Sequence, residues 1–389
     1  MLQMKGEKII MKLPNIDVLF SEKAIHSLKM AERGIVALVL HHNCPEQQES
    51  IHTLNSLSEL DNLAIELTEK QKKYIKLAFL GNDNVPRKVI LVMRESSADV
   101  VDLSSEDSTR SLKKKGLGTP TYTKVFNLLD SIEFNYLAFP QMTTEKTEIE
   151  TWVKQNRKKF LTVIGGKGSN NERIINFNTG SIKTILSDDT FSKEEYTARI
   201  AGLIAGTSVK QSITFAKLSD VLDCERAGRE AIDTAIESGE LVLYTDGEVV
   251  KIARGITSLT TLSSEKGEQF KKIKVVDVLN MIENDIKSTC ESVYIGKYPN
   301  TYDNKIVLAS SITNYFKRLE MLGILDNNLL NTCEIDFEMQ KRYLADKGID
   351  VENLSEKEIL RYNTNSQVFL FANIHVVDAI EDIKIRVSI

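Results

Sequence analysis

Gly34–Leu40 is an unbroken apolar run with polar residues on either side, and Lys88–Met93 repeats the pattern. Runs this short and this uniformly apolar predict strands covered on both faces, as in a parallel sheet. Between them, Glu69–Leu80 sets Tyr74, Leu77 and Ala78 at helical spacing. A helix over Val125–Leu129, a strand over Tyr136–Phe139, a helix over Glu148–Lys159 with the only tryptophan (Trp152) and a strand over Phe160–Ile164 follow. Ser192 and Glu195 have capping-box spacing, opening a helix through Tyr196, Ile200 and Leu203 that ends near Gly206. Strand and helix patterns thus alternate from about 34 to 206, which predicts an α/β layer with mostly parallel strands.

The texture changes at Leu241. Leu241–Thr245 and Glu248–Ile252 flank Asp246-Gly247, the residues of a two-residue hairpin turn, because Asp-Gly supplies the positive φ angles such a turn needs. Ile273, Val276, Leu279, Ile282 and Ile286 mark a long amphipathic helix over Phe270–Ser288. Leu308, Ile312, Tyr315, Leu319 and Leu322 mark another over Ile306–Leu322. Shorter helices are expected over Asp336–Leu344 and after a cap at Ser355, then a strand over Val368–Val377. Ile383–Ile389 alternates apolar and polar residues with no turn and no following strand. Such a ribbon either folds back on its own body or completes a sheet in another molecule, through main-chain hydrogen bonds and alternate side chains in pockets.

The expected fold class is α/β with α+β character. A central, mostly parallel sheet with flanking helices is joined to a C-terminal α+β core domain and strand-exchanging terminal arms. The expected boundaries are an N-terminal arm over 1–30 with a strand-like piece at Ile16–Phe20, an α/β domain over 31–240, a core domain over 241–377 and a C-terminal arm over 378–389. A polar insertion is expected at about 95–120.

Composition narrows the function. A chain of 389 residues with 42% hydrophobic and 27% charged residues can build about two ordinary domains. A net charge of −5 lacks the basic footprint of a nucleic-acid binder. Cys44, Cys224, Cys290 and Cys333 lie far apart and read as reduced thiols of a chain made in a cytoplasm. No secretory h-region and no apolar run long enough to span a bilayer appears.

Candidate chemistry is thin. Gly165-Gly166-Lys167-Gly168-Ser169 follows a strand, where a phosphate-binding loop would sit, but it fits neither phosphate-loop spacing and leads into a second strand pattern rather than a helix. A soluble α/β enzyme binding a phosphorylated ligand at Gly165–Ser169 is the alternative reading; a turn is the expected one. His41, His42, Cys44 and His52 cluster without zinc-finger spacing. Lys271, Lys272 and Lys274 form a basic cluster at the start of the 270–288 helix, facing either solvent or an acidic partner.

Several strings resemble one family. Asp246–Thr261 (DGEVVKIARGITSLTT), Phe270–Asp277 (FKKIKVVD), Met281–Ile286 (MIENDI), Val368–Ile374 (VFLFANI) and Val377–Asp382 (VDAIED) resemble contractile phage tail sheath proteins. Arg33–Leu38 (RGIVAL) and Glu195–Leu203 (EYTARIAGL) fit the same family, in its branch from phages and defective prophages of Gram-positive bacteria. The resemblance implies a structural subunit with no cofactor and no catalysis. It implies a helical homopolymer around an inner tail tube, capped by baseplate and tail terminator proteins, with no direct contact to nucleic acid or membrane. In such a polymer Ile16, Val18 and Phe20 of one arm and Ile383, Ile385, Val387 and Ile389 of the other would exchange strands between subunits. The basic cluster at Lys271, Lys272 and Lys274 would face the tube or a neighbour. Contraction from a metastable extended state would drive the tube through a target envelope, in a virion tail or a tail-like bacteriocin. A non-contractile tail or capsid component with the same arm-exchange habit is the remaining competitor.

Overall fold

The computed structural model describes residues 28, 33–42, 48–95, 122–142 and 144–388. The N-terminal strand-like piece with Ile16, Val18 and Phe20, the insertion from 96 to 120, Cys44 and Ile389 lie outside the described residues.

The first half of the chain alternates as its pattern predicts, with an unexpected strand β2 (Ser50–Leu54) added: β1 (Ile35–His41), α1 (Glu69–Phe79), β3 (Lys88–Arg94), α2 (Thr123–Ser131), β4 (Tyr136–Ala138), α3 (Lys146–Gln155), β5 (Leu161–Gly165) and β6 (Ile174–Phe177). Next come β7 (Ile182–Thr184), β8 (Ser187–Phe191), α4 (Thr197–Ala205), β9 (Val221–Asp223), α5 (Arg229–Glu237) and β10 (Glu240–Leu241). The large sheet runs β10-β6-β5-β4-β1-β3-β2 and is parallel except for the edge strand β2, which lies antiparallel to β3.

β1 shows why its sequence is apolar throughout. Val36, Leu38 and Leu40 point into one core with α1 and α4, while Ile35, Ala37 and Val39 point into a second core with α2 and α3. Successive side chains leave a strand on opposite faces, and here both faces are roofed by helices. On the first face α1 and α4 cross closely: a Cβ on Gly202 would stand 2.0 Å from the Ala78 carbonyl oxygen. The capping-box pair holds the entry to α4, with Ser192 N–H donating to Glu195 Oε2 at 2.9 Å and Glu195 N–H to Ser192 Oγ at 3.3 Å. Deeper in, Arg199 donates through Nε to Asp220 Oδ1 at 2.9 Å while Tyr196 donates to Asp220 Oδ2 at 2.8 Å, all three buried. This network ties α4 to the small antiparallel sheet β8-β7-β9.

β11 (Leu243–Thr245) and β12 (Val250–Ile252) form the predicted hairpin, but its turn is longer than the expected two residues. Thr245 pairs with Val250, so Asp246–Val249 make a four-residue loop. Asp246 Oδ1 accepts from the amides of Glu248 and Val249, and this side-chain contact widens the turn. Leu241 belongs to the large sheet rather than to the hairpin.

The remainder is helical: α6 (Ile273–Thr289), α7 (Tyr302–Met321), β13 (Thr332–Ile335), α8 (Phe337–Asp346), α9 (Glu356–Arg361) and β14 (Leu370–Asn373). β13 and β14 pair antiparallel as a sheet of their own. The strand expected over Val368–Val377 is thus confined to four residues plus a bridge between Leu325 and Val376. α6 is shared between cores. Ile273 and Val276 pack in the core of the large sheet, whereas Val278, Met281 and Ile282 pack with α7 in a third core. Asp277, between the two sets, is ion-paired with Arg33 and accepts a hydrogen bond from Tyr136 of β4.

Candidate assembly interface

Beyond β14 the chain is held step by step. His375 donates its amide to Asn331 Oδ1 at 2.7 Å, Asp326 N–H reaches the His375 carbonyl at 2.8 Å, and Val377 N–H reaches the Ile324 carbonyl at 3.0 Å. Residues 378–382 then lie against a different part of the body. Asp378 pairs with Lys272, and Asp382 pairs with Arg254 at 2.6 Å. Glu381 receives Ser212 Oγ at 2.9 Å, Thr214 Oγ1 at 2.6 Å and the Arg254 guanidinium at 3.2 Å, and its side chain is 6% exposed. The Asp382 carboxylate raises the Arg254 pKa through this hydrogen bond, and Arg254 in turn lowers that of Asp382.

After this anchor the character reverses. Ile383, Ile385 and Val387 are 72%, 80% and 77% exposed, and residues 383–388 pair with no strand among the described residues. The strand expected over Ile383–Ile389 therefore has no ladder among the described residues of its own chain. An edge of matching kind lies elsewhere on the surface. β14 pairs on one side with β13 and on the other with no strand among the described residues, and Phe371 and Val368 are exposed there. Beside it opens a cavity of about 850 Å³ walled by Ile295, Tyr298, Leu308, Val368 and Leu370. An unpaired strand next to an apolar groove can accept an added strand.

Residues 115–258 match the family model described as the phage tail sheath protein central domain, and residues 265–389 match the phage tail sheath C-terminal domain. The tail sheath protein of Clostridium phage phiCD119 is 37% identical over 386 residues, covering 97% of this chain and 99% of that protein. The chain belongs to the phage tail sheath family. Its fold extends to remote sheath structures. A subunit of the anti-feeding prophage helical sheath in its contracted state superposes with a TM-score of 0.69 at 14% identity, covering 97% of this chain and 99% of that one. The sheath tail protein of Desulfitobacterium hafniense superposes with a TM-score of 0.62 at 19% identity, covering 83% of this chain and 94% of that one.

The family is one of structural tail proteins, so this sheath subunit is not an enzyme. Gly165–Ser169 opens the connection from β5 to the adjacent parallel strand β6, with Gly166 and Gly168 at φ +99° and +96°. Lys146 donates to the Lys167 carbonyl and Ser169 to the Glu150 carboxylate, so the loop's polar side chains are engaged within the chain. Near the histidines, Ser50 Oγ lies 3.0 Å from His52 Nε2 and 3.4 Å from His42 Nε2, and no metal-holding cluster occurs among the described residues.

The basic cluster of this sheath subunit is divided between tasks. Lys274 is 7% exposed, and burial lowers its pKa. Lys272 holds Asp378, with Glu381 at 3.6 Å. Lys271 pairs locally with Glu268 at 2.9 Å. The anchor around Glu381 leaves little signal in the sequence, because Ser212, Thr214, Arg254 and Lys272 are scattered along the chain. Its one legible trace is the acidic Glu381-Asp382 pair standing directly before the alternating ribbon.

Proposed function

We propose that this sheath subunit polymerises by donating Ile383–Ile389 as a strand to the β13–β14 sheet of a neighbouring copy. The observation that carries this reading is the alternation at the ribbon. Ile383, Ile385 and Val387 are exposed, with Lys384, Arg386 and Ser388 between them. In a shared sheet the apolar set would turn into the groove at Leu308 and Leu370, and the polar set would face water. The N-terminal set Ile16, Val18 and Phe20 supplies a second donated strand. A head-to-tail contact of this kind does not close on itself, so repetition of one interface builds a helical tube.

The tube encloses an inner tail tube, ends at baseplate and terminator proteins, and belongs to a virion tail or a tail-like bacteriocin. It assembles extended in a metastable state behind a kinetic barrier and shortens as subunits turn largely as rigid bodies, the arms keeping copies attached. The work comes from surface newly buried between copies. Lys271 faces the inner tube or a neighbour; its pairing with Glu268 is exposed and contributes little, so the lysine can exchange partners.

Deleting residues 383–389 tests the reading. The expected product is a folded core that forms no tubes under electron microscopy. Tubes of normal abundance from that truncation would overturn strand donation.

A further inference from the structure

We infer that Glu381 is a positioning residue whose clamp fixes the point at which the donated strand leaves the body. The inference rests on the strand-donation reading and deepens it by naming the device that sets the reach of the arm.

Glu381 is flanked by residues that face solvent: the Ile380 side is 89% exposed and the Asp382 side chain is 74% exposed. Yet its own carboxylate is buried, and groups from three separate stretches of the body converge on it. Ser212 and Thr214 come from the segment after α4, Arg254 from the segment after β12, and Lys272 from the position preceding α6. Ser212 and Thr214 share the same oxygen, Oε1, and Arg254 takes the other through both Nε and Nη2. Burying a carboxylate in the middle of an otherwise exposed ribbon is unfavourable unless its lone pairs are filled, and here they are. A surface tail laid down without purpose needs no such socket.

The position of the socket matters mechanically. Val377 is fastened to Ile324 in the unit of α7, β13 and β14, whereas Glu381 is fastened to the loops beside the hairpin and α6. Residues 378–382 therefore form a strap between two parts of the surface, and the first unanchored residue is Ile383. Freeing the strap would add five residues to the arm, roughly 16 Å of extended chain. A strand that starts from a fixed joint reaches one register on one neighbour, while a longer tether reaches several.

The test uses the full chain carrying Glu381→Ala or, as the milder change, Glu381→Gln, assembled beside the wild type. The expected result is that tubes still form, since Ile383–Ile389 is intact. The spread of helical twist in cryo-EM classes widens several-fold, and the Tm of the unassembled body is unchanged. A wild-type twist distribution, or a lowered Tm with tube order intact, would overturn the inference. Failure of strand donation itself reads out separately, as tubes formed by the truncation lacking residues 383–389.

Discussion

Tyr136 of β4 donates its hydroxyl to Asp277 of α6 at 3.0 Å, joining the large sheet to the helix that also roofs the third core. Arg33, at the threshold of β1, completes the group by pairing with the same carboxylate and donating to the Tyr136 oxygen at 3.1 Å. Residues far apart in sequence thus meet at one buried polar point, and the arrangement is sensitive to loss of any member.

Asp277→Ala should leave Arg33 as a mostly buried cation without its carboxylate. Breaking a buried pair from one side costs about 3–5 kcal/mol; because Arg33 keeps 20% side-chain exposure, a loss near the lower end is expected. Urea unfolding monitored by the fluorescence of Trp152 measures it, and a change below about 1 kcal/mol would contradict a structural role for the pair.

Gly202→Ala should be unfavourable although alanine favours helices. Its methyl group would meet the Ala78 carbonyl at the closest approach of α1 and α4, forcing the helices apart. Overpacking of this kind costs about 1–3 kcal/mol. A lowered urea midpoint with an unchanged m-value is the expected signature.

Cys333 should be almost inert as a nucleophile. Burial beside Glu334 pushes its thiol up to about 11, so little thiolate exists at neutral pH. Iodoacetamide at pH 8 should label it far more slowly in the native protein than in urea. The sign of the accompanying stability change is fixed. A thiol whose folded pKa lies above its unfolded value of 9.0 contributes stability that is complete below about pH 9 and lost as pH climbs toward about 11. A fast native reaction would show that the β13 environment is open.

Ile385→Asp separates assembly from folding. The side chain is 80% exposed, so the stability of the lone body should move by no more than about 0.5 kcal/mol. In a donated strand the same carboxylate would enter an apolar groove, and tube yield in sedimentation should fall at least tenfold. Unchanged sedimentation would argue against Ile385 as an inserted side chain.

Legibility in the sequence followed the physical origin of each feature. β1 and β3 were readable because both faces are covered, which leaves a continuous apolar run. β2 was not, since an edge strand open to water reads Ser-Ile-His-Thr-Leu and alternates poorly. The edge strands β8 and β9 escaped for the same reason, with Asp188, Asp189 and Thr190 of β8 outward, while β7, central in its sheet, is only three residues long. The helices α6 and α7 declared themselves through their apolar stripes. At the candidate interface the period of two at 383–389 is plain in the sequence, although residues 383–388 form no strand with any described residue. The socket for Glu381 was not, because its hydroxyls and guanidinium come from stretches more than a hundred residues away. Linear clustering also misleads. Lys271, Lys272 and Lys274 are near neighbours in sequence, yet an exposed local pair, an anchor for Asp378 and a buried position separate them in space.

The shared helix α6 carries a mechanical implication. Bending one half of the subunit against the other would have to shear Ile273 and Val276 from one core or Met281 and Ile282 from the next. Torque applied at one end of the subunit is therefore delivered to the other with little slack, and in the proposed polymer the deformation would fall on the terminal arms.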